Sequence, residues 1–307
     1  MNTLVFAPKV EFAAMLNSGD KAIDLIRAAL CIAGEHDPQL DPEDSYRRLA
    51  KLTERARLQI PTEQSHTEQG LSDIADKLCH LLYRQVGFSG DSEDYYNPDN
   101  SYLNRVLETR RGIPISLALV YIAVAEGLGL RIEGLGFPGH FLLKLSAGED
   151  ANSIEDPDLD EETNKTNDKQ AEGVIIDPFA GQVLSIDDCK DLLAVSSGNT
   201  LPFKREFLNS IGKRAILRRM LGNLKAIYMN KSDYVQALSL CDRLLLLDKD
   251  SVQDRIDRAD VLEKLECYEP AAQDLEQLLT NKAMQQGAEA LKRKISDLRA
   301  LVQGKPH

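Results

Sequence analysis

The chain has 307 residues, 43% apolar and 28% charged, an ordinary globular composition with room for one large domain or two medium ones. Forty-nine acidic against 37 basic side chains leave a formal charge of −12, which argues against a nucleic-acid or anionic-membrane binder. The apolar stretch at residues 115–125 is about half the ~20 residues of a spanning helix, and the start MNTLVFAPKVEF has no signal-peptide pattern.

Five cysteines, odd in number and never in a CxxC pair, exclude a disulfide framework and a cysteine-rich zinc site and point to a reducing cytosol. The expectation is a soluble cytoplasmic protein with no metal and no cofactor.

Residues 20–33, 43–57 and 68–86 carry apolar side chains three and four apart and read as helices. Leu71, Ile74, Leu78, Leu81 and Leu82 form one stripe, with Gly87 placed as a C-cap. The polar turn DSEDYYNPDNS follows. Pro114 suits a first helical position, and the helix it opens runs to about Glu126 with almost no polar face, so it is buried and central. Residues 130–133, 140–145 and 174–176 read as strands. One central helix followed by strands gives an α+β domain.

Residues 147–173 hold ten acidic side chains against Lys165 and Lys169, a net −8, with no aromatic residue. Such a segment buries too little to offset its ordering and is expected to be a mobile loop; the DxDxDG spacing of a calcium loop is absent. The charge then reverses to +7 over residues 201–231. On a helix, Arg214, Arg218 and Lys225 fall within roughly 40° of one another. They form a solvated face, pair with the acidic segment, or select an acidic protein partner; without interleaved aromatics they do not suit nucleic acid.

The last third repeats itself. A shift of 34 residues lays Tyr234 on Tyr268, Ala237 on Ala271, Cys241 on Leu275 and Leu244 on Leu278. This period and the Tyr-x-x-Ala core resemble the tetratricopeptide repeat, although Leu221 falls on Arg255. Two copies need a cap, which residues 288–302 would supply.

Most histidines lie in polar or amphipathic segments. His140 follows a Pro-Gly turn after the buried helix, and Asp177 ends a strand before Pro178. A His and an Asp facing the N-terminus of a buried helix frame a cysteine-type acyl-transfer site, where helix and imidazolium stabilise a thiolate. The stretch YYNPDNSYLNRVLETRRGIPISLALVYIAVAEGLGLRIEGLGFPGHFLLKL, followed by VIIDPFAG, resembles the bacterial transglutaminase-like core-two family, whose members commonly carry tetratricopeptide-like helices behind that domain. The resemblance implies a papain-like fold with Cys, His and Asp meeting at the helix start. It divides the chain into a helical segment at 1–94, the core at 95–200 and the repeats at 201–307.

Where the family's Gly-x-Cys would stand, this chain has Gly112-Ile-Pro114, and no cysteine lies between Cys79 and Cys189. Proline offers no nucleophile. The nearest hydroxyl, Ser116, points about 200° away around the helix. Ser116, His140 and Asp177 are therefore the residues of a degenerate site, with a helix-capping role as the alternative for Ser116. Asn97, Asn100, Asn104 and Arg105 belong to the same block and suit backbone bonding. Arg110 and Arg111 line the cleft mouth beside Pro114 or bind a carboxylate.

Three functions follow: a non-catalytic adaptor working through cleft and repeats, a hydrolase or protease using Ser116, His140 and Asp177, or an assembly factor whose cleft binds a small ligand or chain terminus. Oligomeric state is not readable from the sequence.

Overall fold

Short polar side chains start the first helices where the apolar periodicity begins. The Asp24 carboxylate accepts the Arg27 amide at 2.9 Å and opens α2 (Leu25–His36). Asp41 takes the Glu43 amide, with Pro42 first in α3 (Pro42–Arg57), and Thr67 caps α4 (Glu68–Cys79). The Asp24 cap splits the expected helix 20–33, leaving a 3-10 turn at Asp20–Ala22. From Cys79 the chain continues as a π-turn, His80–Val86, until Gly87 stops it at φ +90°, a left-handed conformation that suits glycine.

The structure, a computed structural model, describes residues 6–63, 65, 67–146, 173–279 and 287–303. Two units emerge: Asp24–Ile216 with Met1–Pro8, and Leu217–His307 with Lys9–Ile23. Helix α1 (Pro8–Met15) thus falls almost wholly in the second unit, where its Phe12 ring is fully buried and the Arg243 guanidinium stacks 4.4 Å from its centre.

In the first unit, β1 (Ser89–Gly90) pairs in parallel with β2 (Arg111–Gly112), which follows α5 (Leu103–Thr109). Helix α6 (Pro114–Gly127) comes next and is buried from Pro114 through Ile122, as its lack of a polar face requires. Each of its Leu and Ile side chains contributes about 1.5–3 kcal/mol through burial.

Strands β3 (Arg131–Leu135), β4 (Leu142–Ser146), β5 (Val174–Asp177) and β6 (Gln182–Leu184) make one antiparallel sheet in that order. Leu143 pairs with both Gly134 and Ile176. Helix α7 (Ile186–Ser197) closes a core in which Cys189 and Leu193 meet Leu135, Phe137, Leu142 and Ile175. His140 lies in the turn ahead of β4 and not on it: its amide donates to the Phe137 carbonyl at 3.2 Å. Residues 147–172, most of the acidic segment, lie outside the described residues.

The second unit is helical: the end of α8 (Lys213–Asn230), then α9 (Tyr234–Leu247), α10 (Val252–Lys264), α11 (Tyr268–Leu279) and α12 (Ala288–Gln303). The repeat extends to the backbone. Ser232 and Glu266, 34 residues apart, both take φ near +57° in the turns before α9 and α11. The amides that follow them, Asp233 and Cys267, both bond a carbonyl five residues back at 2.9 Å. Ala237, Ala271, Cys241, Leu275, Leu244 and Leu278 are all at most 2% exposed, so the superposed positions form the inner faces. Leu291, Ile295 and Leu298 of α12 complete that core. At the departure from the pattern, Leu221 is fully buried while Arg255 pairs with Asp274 at 3.4 Å.

Candidate functional site

Residues 97–116 and 177–180 build the region at the start of α6. Asn97 accepts the Asp99 amide at 3.0 Å and donates to Asp94, and Asn100 donates to the Asp94 carbonyl at 2.8 Å. The asparagine turn is thus spent on its own backbone and on the Asp94 carboxylate. It delivers the Asn100 carbonyl to Ser116, whose hydroxyl donates to it at 2.5 Å and accepts the Ile113 amide at 3.1 Å. Ser116 is fully buried, and its hydroxyl bonds to the backbone of Asn100 and Ile113. Pro114 beside it is buried and lacks an N–H. Gly112 is needed here, because a Cβ would stand 2.8 Å from the Ser116 oxygen.

Asn104 is buried in α5. Arg105 pairs with Asp99 at 3.3 Å and Glu108 at 2.5 Å. Arg110 holds a left-handed backbone at φ 62°, and its guanidinium donates to the Val86 carbonyl at 2.7 Å, satisfying the end of the π-turn. Arg111 is exposed on β2.

Asp177 ends β5 and is 5% exposed. Its carboxylate accepts the Phe179 and Ala180 amides at 2.8 and 3.3 Å. Burial raises its pKa above the usual carboxylate value, against the pull of these two amides and of His140. The Phe179 carbonyl accepts the Gly90 amide at 3.2 Å, and the Phe179 ring leaves no room for a Cβ at Gly90. His140 thus acts on Asp177 through its charge, while the Ser116 hydroxyl bonds to the Asn100 and Ile113 backbone.

Sequence reasoning missed two neighbours of Asp177. Cys79, at the end of α4, and Tyr121, in the second turn of α6, face each other in the field of Asp177. Burial pushes the Cys79 thiol up to about 12, and Cys189 is likewise pushed up to about 11. Burial raises the Tyr121 hydroxyl as well. No local signal marks these residues, because each sits inside an apolar helical stripe and tertiary packing of α4 and α6 brings them into the field of Asp177.

Among the described residues no group of His, Cys, Asp and Glu has the arrangement of a metal site, and no helix is long and apolar enough to cross a membrane.

Of the basic residues on α8, two serve the second unit itself. Arg218 pairs with Asp254, which is 5% exposed, and donates to the Ser251 hydroxyl at 3.2 Å. Lys225 pairs with Asp257 and stands 3.8 Å from Asp254. Among the described residues their partners lie on α10, one repeat onward; the acidic segment lies outside those residues. Arg214 is half-buried in the first turn of α8.

The family model of the transglutaminase-like superfamily matches residues 43–222, and a tetratricopeptide-repeat model matches 224–296. The first match begins at α3, well ahead of the motif block at residue 95, so α3 and α4 lie within the matched domain. The UPF0162 protein of Xylella fastidiosa is 31% identical over 241 residues, 74% of this chain and 73% of that one. The UPF0162 protein of Vibrio cholerae is 27% identical over 287 residues, 92% of this chain and 97% of its own. Human F-box only protein 21 is 31% identical over 157 residues, 51% of this chain and 22% of that protein. No solved structure matches. The chain belongs to the transglutaminase-like superfamily and carries tetratricopeptide repeats behind that domain.

Proposed function

We propose that this is a non-catalytic, cytoplasmic transglutaminase-like protein that acts as an adaptor or regulatory factor, docking a protein partner on its helical repeats. The observation that carries the reading is the state of Ser116, fully buried and bonded to the Asn100 carbonyl and the Ile113 amide. It is the hydroxyl nearest Pro114, which stands where the family's nucleophilic cysteine would be. The Cys79 thiol beside Asp177, pushed up to about 12, is a poor source of thiolate. Tetratricopeptide helices support protein binding, since stacked helix pairs offer a groove to a peptide or helix. With Arg218 and Lys225 engaged on α10, preference for an acidic partner would fall to the exposed surface of the helical repeats.

The test is partner capture by the full-length protein from its own cells. Ser116→Ala and His140→Ala are expected to retain the partner. Val235→Asp with Leu246→Asp, at positions 67% and 51% exposed on α9, is expected to lose it without unfolding. Loss of cellular activity in a folded His140→Ala protein, with the partner still bound, would turn the account toward catalysis.

A further inference from the structure

Asp44, Arg47, Arg48, Lys51 and Leu52 recur at i, i+3, i+4, i+7 and i+8, which places them on one face of α3. This face walls a cavity of about 330 Å³ whose other side comes from the π-turn end and α5. The floor is apolar: Val86, Phe88 and Leu107 are 8%, 3% and 6% exposed. The rim is cationic, with Arg47, Arg48, Lys51 and Arg110 against the carboxylates of Asp44 and of Asp41, which stands 3.5 Å from Arg47. Asp44 already holds Arg48 at 2.6 Å and Arg47 at 3.5 Å. Glu108 stands in the field of Arg48 but is bonded to Arg105.

Lys51 is exposed and makes no ion pair among the described residues. Arg110 spends one N–H on the Val86 carbonyl, which fixes its guanidinium above the floor and leaves further donors.

We propose that this cavity binds a carboxylate attached to a short apolar group, such as the C-terminal residue of a peptide ending in leucine. The cationic excess selects an anion over an amine. The Val86, Phe88 and Leu107 floor favours an aliphatic group over the bare charge of a phosphate. The volume lies at the low end for ligand pockets, which range over roughly 300–1,000 Å³, and so suits one residue rather than a long chain. Arg110 and Lys51 supply charge-assisted hydrogen bonds to the carboxylate, and the apolar side chain covers the floor. The site lies outside the repeats, so its test does not depend on docking there.

The experiment is calorimetric titration of the full-length protein with N-acetyl-leucine, a hexapeptide ending in Leu with a free carboxylate, the C-terminal amides of both, and inorganic phosphate. The acids are expected to bind and the amides to bind roughly tenfold more weakly or worse, as loss of a charged contact implies. Lys51→Glu, at an exposed position, is expected to weaken the acids by about tenfold or more with an unchanged melting temperature. A peptide that binds tighter than N-acetyl-leucine identifies a chain terminus as the source, and equal binding identifies a free small acid. The proposal is overturned if acid and amide bind alike, if phosphate binds as tightly as the acids, if folded Lys51→Glu binds like wild type, or if neither acid binds at about 10 mM.

Discussion

Ser116 stabilises the start of α6 through the same two bonds that occupy its hydroxyl. Removing it leaves the Asn100 carbonyl with the Ile113 amide, 3.1 Å away, so the loss is partial. Ser116→Ala is predicted to cost about 1 kcal/mol in denaturant unfolding and to leave partner capture intact. Asp177 gives a pH signature. Its folded pKa lies above 3.8, so the folded state holds the proton more tightly than the unfolded chain does. Its contribution to stability therefore falls as pH rises from 3.8 through the raised value and stays low above it. Asp177→Asn keeps an acceptor for the Phe179 and Ala180 amides but cannot titrate. Compared by denaturant midpoint at about pH 3 and pH 7, it should gain on wild type as pH rises. A gain that shrinks with rising pH would contradict the burial argument. The end of β5 at Asp177 was legible from the strand pattern before Pro178, whereas the bonding of Ser116 to a carbonyl sixteen residues back was not.

The elements most legible in the sequence were those whose burial pattern is complete within one segment. Helix α6 has no polar face, and the repeat aligns residue by residue down to the left-handed turns at Ser232 and Glu266. Helix α5 and strand β2 were not legible, because seven residues and two residues carry too little periodicity and their places depend on Val86, Ser89 and Asn100. The charge run on α8 was visible, but its role was not. Arg218 and Lys225 find carboxylates on α10, a match that sequence charge counts cannot distinguish from one to any other acidic stretch. Arg218→Ala is predicted to cost roughly 2 kcal/mol by leaving the buried Asp254 carboxylate with the more distant Lys225, 3.8 Å away. The double variant with Asp254→Ala should cost at least about 1 kcal/mol less than the sum of the two singles. Additive losses would show that the pair is a surface contact without coupling.

Packing across the whole molecule sets which nucleophiles solvent can reach. Cys31, Cys79, Cys189 and Cys241 are buried, and only Cys267 is exposed among the five cysteines. Iodoacetamide should therefore add one group to the native protein, at Cys267, and five after denaturation; rapid native labelling of Cys79 would contradict the picture of an inert thiol beside Asp177. The family match spans residues 43–222 and the repeat match 224–296, so a transglutaminase-like domain is followed by tetratricopeptide repeats. A scaffold does not by itself fix an activity. Under the proposed function Ser116, buried beside Pro114, performs no chemistry. The most direct measurement is reaction of the purified full-length protein with a fluorophosphonate probe, with Ser116→Ala as control. Neither protein is expected to be labelled; labelling of the wild type that disappears in Ser116→Ala would show a reactive serine and overturn the non-catalytic reading.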